Sequence, residues 1–348
     1  MASLEQSGKG IPMAAIPLTK AQQFWPLTDY LQRIGVPLGT YLERARLPQK
    51  MLEAPDLFVD ESRFWRFAED LAHRQGIPDW GFQSGLRLDF SVLGEFGDVL
   101  MQQPTLKSAL DSFTSAISAE VVHCQSELMQ QGNLFWFVLR QKCPQASAGM
   151  ASGKDIVELY NLEFMLKLVR KAIGNHWLPE MVHLQSHSLP AGFDITRLTS
   201  GRIRFASIMT ALAIPADKLS APMSGYRSCS GKSNLAHLPL SEEIDFATSL
   251  RLLLAGYVDE RITIDECADL VGLSGRTLQR RLAEHETTFN ELLDQTRFEV
   301  AKELLRDESI PISDVCYEVG YADPGNFTRA FRRWTGVSPR QHRQLHSE

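Results

Sequence analysis

The last hundred residues of the chain contain a short repeat, which constrains the fold more than any other feature. Cys267-Ala268-Asp269-Leu270-Val271-Gly272-Leu273-Ser274 matches Val315-Cys316-Tyr317-Glu318-Val319-Gly320-Tyr321-Ala322 at an offset of 48. In both copies a short amphipathic run ends at glycine, which enters the left-handed backbone region without a Cβ penalty. A second run then opens on its own cap. Ser274 caps the first copy; Asp323 caps the second, with Pro324 at the first helical position. The cap-to-cap offset is 49, so the second turn is one residue longer. By helical spacing Leu278 and Leu282 point inward in one copy, and Phe327 and Phe331 in the other. Short helix, glycine-containing turn and second helix make a helix-turn-helix, and here there are two. Thr263 and Glu266 form a capping-box pair ahead of the first unit. Between the units, residues 290–306 read as a helix of about 25 Å. Such a spacer is long enough to hold two recognition helices roughly one DNA turn apart.

The outer faces of the two second helices carry the chemistry of base recognition. The first exposes Arg276, Thr277, Gln279, Arg280 and Arg281; the second exposes Asn326, Thr328, Arg329, Arg332 and Arg333. Arginine pairs with guanine through two hydrogen bonds, asparagine and glutamine pair with adenine, and threonine reaches a thymine methyl. The formal net charge of −6 hides this. Residues 240–348 hold 13 Lys+Arg against 20 Asp+Glu, and residues 1–239 hold 23 against 22. Yet no acidic residue lies between Pro324 and Ser347, a stretch with five arginines. Phosphate contacts respond to potential within about 8–10 Å, so the bunching outweighs the sum.

Ile312-Ser313-Asp314-Val315-Cys316-Tyr317-Glu318-Val319-Gly320-Tyr321, followed by Asn326-Phe327-Thr328-Arg329-Ala330-Phe331-Arg332-Arg333-Trp334-Thr335-Gly336-Val337-Ser338-Pro339, resembles the signature of the AraC/XylS family of bacterial transcription regulators. Two departures are mild: Cys316 stands where alanine is usual, and Tyr321 where phenylalanine is. The resemblance spans about residues 242–345. It implies double-stranded DNA as a partner, with base contacts from Arg276, Gln279 and Arg280 in the first recognition helix. In the second it implies Pro324, Gly325, Asn326, Thr328 and Arg329. Pro324 and Gly325 bring no hydrogen-bonding side chain, so the start of that helix is expected to position backbone more than to specify sequence. The resemblance further implies an activator, a homodimer and contact with RNA polymerase.

Upstream, residues 1–20 read as a flexible tail and 21–220 as one α+β domain for effector binding or dimerisation. Residues 221–241, rich in Ser, Gly and Pro, read as a linker. Residues 242–348 read as an all-α DNA-binding domain of two helix-turn-helix units joined by a long helix. Helical periodicity covers 24–34, 60–73 with Asp60 as cap, 91–101, a run opened by Thr105, and 155–173. Alternation marks strands at 120–128, 133–140, 181–186 and 202–209. His187-Ser188-Leu189-Pro190, Arg204-Phe205-Ala206-Ser207, Leu219-Ser220-Ala221-Pro222-Met223 and Pro104-Thr105-Leu106-Lys107-Ser108-Ala109-Leu110 resemble the effector-binding region of one branch of the family. That implies an arabinose-binding-type sensor of a small molecule. Phe135 and Phe137 on a strand, with Tyr160 and Phe164 on the apolar helix, are the candidate ligand contacts; ordinary core is the competing reading for each. The apolar helix favours a hydrophobic effector over a highly charged one.

Other chemistries lack a pattern. No Ser/His/Asp grouping, phosphate loop or paired carboxylates stand out, so no catalytic residue, enzyme activity or cofactor is expected. An enzyme domain fused to a helix-turn-helix module stays open as an alternative, as does an N-terminal domain that only dimerises. His183 and His187 have metal spacing for a helix, but Val182, Leu184 and Gln185 alternate as in a strand, so no metal is expected. Five widely spaced cysteines without a CxxC argue against disulfides or a zinc finger and for a cytoplasmic protein. Cys267 and Cys316 read as small buried apolar residues rather than redox sensors. Glu158, Glu163 and Lys167 read as a solvated face with an i,i+4 pair. The longest apolar run, 134–139, is far short of the ~20 residues of a membrane span. The first twenty residues carry no apolar core of a secretory leader, so no membrane partner is expected.

Overall fold

A computed structural model of the chain describes residues 15–141, 151–224 and 244–345. They divide into two compact units, residues 17–224 and 244–345, with residues 15–16 grouped with the second. The first unit is α+β and the second is all-α, as the patterning predicts.

The N-terminal unit opens with β1 (Leu18–Lys20), which pairs antiparallel with β2 (Phe58–Asp60). The tail reading therefore ends too late, because residues 18–20 are a buried strand. Between these strands lie α1 (Trp25–Arg33) and α2 (Leu38–Ala45). The Asp60 carboxylate accepts the Ser62 N–H at 2.8 Å, which starts α3 (Glu61–Gln75) at the expected cap. Then follow α4 (Trp80–Arg87), α5 (Gly94–Met101) and α6 (Leu106–Glu120), the last held by a Thr105–Ser108 capping box.

β3 (Cys124–Gln131) and β4 (Leu134–Gln141) form a hairpin turning at Gly132. After α7 (Ala151–Ile173) come β5 (Met181–His183), β6 (Arg202–Arg204) and β7 (Thr210–Pro215). The sheet order is β3-β4-β7-β5-β6, antiparallel except for the β5–β6 pair. Two strand expectations shift. Glu120 ends α6 rather than opening β3, and the run 202–209 breaks where Ala206 takes a φ of +50°. Much of the expected linker, residues 225–241, lies outside the described residues. Its first residues are tied down, with Ala221 O accepting the Leu106 N–H at 2.9 Å.

α7 is the hub of this unit. Ile156, Val157 and Tyr160 join the core formed with α1, α2 and α3; Leu159, Leu162, Phe164, Met165 and Leu166 join the core under the sheet. Its approach to α4 requires glycine, since a Cβ on Gly81 would stand 2.0 Å from the Ile156 carbonyl oxygen. The solvated-face reading of its carboxylates is overturned: Glu158 is 2% exposed and Glu163 1%. Glu158 accepts the backbone N–H groups of Gln185 (2.6 Å) and Ser186 (2.8 Å) and the Thr210 hydroxyl, while Glu163 pairs with Arg170 at 2.9 Å. A helix wrapped on almost every side can hold charge only where a partner meets it.

The C-terminal unit comprises α8 (Phe246–Leu254), α9 (Ile264–Leu270), α10 (Gly275–Glu284), α11 (Phe289–Arg306), α12 (Ile312–Glu318), α13 (Pro324–Thr335) and α14 (Pro339–Leu345). α9–α10 and α12–α13 are the two helix-turn-helix units, and α11 joins them. Ala301 and Leu305 of α11 bury against Val315, Val319, Phe327 and Phe331. No helix among the described residues is long and apolar enough to cross a membrane.

Candidate nucleic-acid interface and internal cavity

Each recognition helix is placed by the same local devices. In the first unit the Thr263–Glu266 capping box starts α9, and Gly272 at φ +67° ends it. The Ser274 hydroxyl then accepts the Thr277 N–H at 3.2 Å and opens α10, whose Leu278 and Leu282 are buried. In the second unit Gly320 turns the chain at φ +81°, and the Asp323 carboxylate accepts the Asn326 N–H at 2.7 Å to open α13. Phe327 and Phe331 anchor α13, their rings 5.7 Å apart within a cluster that includes Phe298, Tyr321 and Trp334. The two caps differ in charge. Asp323 places a carboxylate at the positive end of α13, whereas α10 is capped by the neutral Ser274 hydroxyl, with the Asp265 carboxylate of α9 close by, 2.5 Å from where a Cβ on Gly275 would stand.

The residues singled out from the sequence separate into two groups. Arg276, Gln279 and Arg280 on α10, and Pro324, Gly325, Asn326, Arg329 and Arg332 on α13, are exposed. The remainder are engaged within the protein. The Thr277 hydroxyl sits 2.9 Å from that of Ser274, and the Thr328 hydroxyl donates to the Pro324 carbonyl at 2.8 Å. Arg281 lies over the Phe246 ring of α8 at 5.1 Å, and Arg333, though exposed, donates to Asp294 of α11 at 2.5 Å. Arg329 donates to the side-chain oxygen of Asn326. The outer face of α13 therefore presents hydrogen-bond donors: the free Asn326 amide hydrogens, the remaining Arg329 N–H groups and Arg332. α10 presents Gln279, which carries both donor and acceptor, between two arginines.

The cysteines of the two units fit the apolar-filler reading. Burial pushes the Cys267 thiol up to about 12 and raises that of Cys316, which also faces the Asp323 charge. Both stay protonated at neutral pH and are poor nucleophiles.

The N-terminal unit contains a partly open cavity of about 40 Å³. Tyr160 and Phe164 line it, but Phe135 and Phe137 do not. Phe137 is spent on packing edge-on against Phe113 at 5.1 Å, and Phe135 packs against the core under the sheet. The cavity also draws on Thr19, Gln23, Glu61, Cys124 and Gln141, which the sequence reading did not select. Glu61 accepts the Gln141 amide at 3.0 Å and pairs with His123. Burial pushes the Tyr160 phenol well up, so it is a neutral donor. His183 is buried, its ring tilted against that of Trp136 with centroids 4.5 Å apart, and burial beside Arg204 keeps its imidazole below the ordinary value. Among the described residues no three His, Cys, Asp or Glu side chains gather to hold a metal ion.

Comparison with known proteins follows the same division. Residues 35–223 match the family described as the arabinose-binding domain of AraC transcription regulator, N-term, and residues 267–345 match a helix-turn-helix domain family. The chain is 23% identical over 330 residues to the ornithine utilization regulator of Pseudomonas aeruginosa, covering 91% of this chain and 94% of that one. It is 21% identical over 345 residues to the HTH-type transcriptional regulator VirS of Mycobacterium tuberculosis, covering 94% and 96%. Among solved structures, the transcriptional regulator CdpR from Pseudomonas aeruginosa aligns with 93% of this chain and 98% of its own, at 21% identity and a TM-score of 0.41. With an N-terminal match across more than half its length and a helix-turn-helix match in the second unit, the chain belongs to the AraC family of transcription regulators.

Proposed function

We propose that this regulator is a cytoplasmic activator. It acts as a homodimer that reads DNA with both helix-turn-helix units, contacts RNA polymerase and responds to a small molecule held in the N-terminal domain. The observation that carries the reading is the pair of outward faces, Arg276–Gln279–Arg280 on α10 and Asn326–Arg329–Arg332 on α13, each on a helix pinned from behind by buried Leu or Phe. α11, at roughly 27 Å, is a spacer of the right order for successive major-groove segments. The donor-only face of α13 suits acceptor edges, guanine O6 and N7 or thymine O4, whereas Gln279 suits adenine. No enzymatic chemistry is assigned.

Selection of duplexes from a random pool by the full-length protein at fixed salt tests this. A bipartite motif with its halves about one helical turn apart is the expected result. A single half-site, or binding without sequence preference, would overturn the two-helix reading.

One observation favours a second reading, in which the N-terminal domain only dimerises. A cavity of about 40 Å³ is far below the ~300 Å³ at which ligand pockets begin. The two readings part on whether any small molecule binds the unit and shifts DNA affinity.

A further inference from the structure

The two cores of the N-terminal unit do not close where they meet. Val157 and Tyr160 of α7 belong to one, Phe164 and Met165 to the other, and the cavity lies between them. At about 40 Å³ it has room for roughly three water-sized groups. Much of its wall is aromatic, with Phe24, Phe96, Phe113 and Phe164 around it.

The polar part of the lining comprises Gln23, Glu61, Gln141 and Asn161 and two hydroxyls, those of Thr19 and Tyr160. Thr19 is 2% exposed and Tyr160 4%, and neither hydroxyl has a hydrogen-bond partner among the described residues. Such groups are normally satisfied, because an unpaired buried hydroxyl is costly. A bound oxygen that accepts from both would restore the balance.

Charge narrows the ligand further. Glu61 is the single charged side chain in the lining, and no Lys or Arg joins it. Its carboxylate is already committed to Gln141 and His123. A ligand anion would face Glu61 with no counter-charge, and a ligand cation would have to take the place of His123, both in a water-poor site.

We infer that this cavity is the effector site and takes an uncharged, largely apolar small molecule bearing one hydroxyl or carbonyl oxygen, held by Tyr160 and Thr19. The inference rests on the proposal that the N-terminal domain is a sensor. A ligand longer than the present space lodges by parting the two cores along α7, so binding and the packing of this unit are coupled.

Saturation-transfer NMR on the full-length protein tests the class with four probes of one size: butan-1-ol, butan-2-one, butyrate and butylammonium. The alcohol and ketone are expected to bind at least about tenfold more tightly than the two ions. Tyr160→Phe and Thr19→Val should each weaken the ketone by roughly tenfold, the value of one hydrogen bond. Should Tyr160→Phe fail to fold, Thr19→Val carries the test. An ion that binds as tightly as the alcohol, or no binding by any probe, overturns the inference. Fluorescence anisotropy on a selected duplex separates the two claims. A neutral probe that binds without changing DNA affinity overturns effector control and leaves the ligand class standing. DNA affinity that responds to butyrate or butylammonium while the neutral probes stay unbound overturns the ligand class alone.

Discussion

Gly320 presses against the main-chain carbonyl of Val258, so closely that a Cβ on it would stand 2.1 Å from that oxygen. Val258 lies between α8 and α9, in the first half of the DNA-binding unit, and Gly320 ends α12 in the second. The two halves are thus braced backbone to backbone, where no side chain can yield. The repeat counterpart, Gly272, also has positive φ but nothing within 4 Å of its Cβ position.

The two glycines should therefore respond differently to alanine. Gly272→Ala is expected to lose about 1–2 kcal/mol, the cost of left-handed backbone alone. Gly320→Ala should lose that and about 1–3 kcal/mol more, because a carbonyl must move. Urea unfolding followed by circular dichroism measures both. Equal losses would show that the Gly320–Val258 brace carries no strain.

Arg329 and Arg281 should separate recognition from stability. Arg329→Ala is expected to cost about 1–3 kcal/mol of operator affinity, concentrated at one base position. A loss uniform across sequences would assign it to phosphate. Arg281→Ala, whose guanidinium covers Phe246, should leave sequence preference intact and cost about 0.5–1 kcal/mol of stability. Anisotropy on matched and mutated duplexes, beside thermal melts, distinguishes them.

The α13 half-site should be rich in guanine or thymine, because Arg329 occupies the Asn326 oxygen and leaves donors outward. The α10 half-site should include an adenine whose preference disappears in Gln279→Ala. Deep sequencing of selected duplexes reads both. Adenine enriched under α13 would mean that the Arg329–Asn326 bond opens on DNA.

Glu158 anchors the loop after β5 through two backbone N–H groups and the Thr210 hydroxyl. Glu158→Ala strands those buried donors and is expected to cost about 3 kcal/mol or more. Glu158→Gln, which keeps one acceptor, should cost less. Melting temperatures of the two variants decide this; equal shifts would mean water replaces the carboxylate.

Glu163 should make the N-terminal unit pH-dependent. Burial pushes its carboxyl from 4.5 to about 7, against the pull of Arg170 and Lys167. The folded state therefore holds the proton more tightly than the unfolded chain. This stabilisation is full below pH 4.5 and is lost as pH rises through 7. Glu163→Gln should flatten the stability profile across that window in melts at pH 4, 6 and 8. An unchanged slope would place the titration elsewhere.

The DNA-binding unit was legible because its signals are local. Thr263, Ser274 and Asp323 cap, Gly272 and Gly320 turn, and Phe327 and Phe331 recur at helical spacing, all within a few residues of one another. The N-terminal unit was less so. β7 (Thr210–Pro215) is buried along nearly its whole length, and a strand covered on both faces shows no alternation to detect. α2 and α4 are two turns long and carry Gly39, Gly81 and Gly85, which erase the helical signature. Glu158 and Glu163 were misread because periodicity reports one apolar stripe, and α7 is enclosed almost all round. The cavity gathers Thr19, Glu61, Gln141 and Tyr160 from four distant segments, a proximity that no spacing along the chain encodes.

That α7 belongs to both cores also governs how such regulators can be recombined. An exchange that cuts between β4 and α7 would set one parent's helix against the other's Phe24, Trp65 and Phe113, and neither core would refit. Viable chimaeras should take residues 17–224 whole. Functional diversification within this unit would then run through single substitutions at the seam rather than through shuffled pieces.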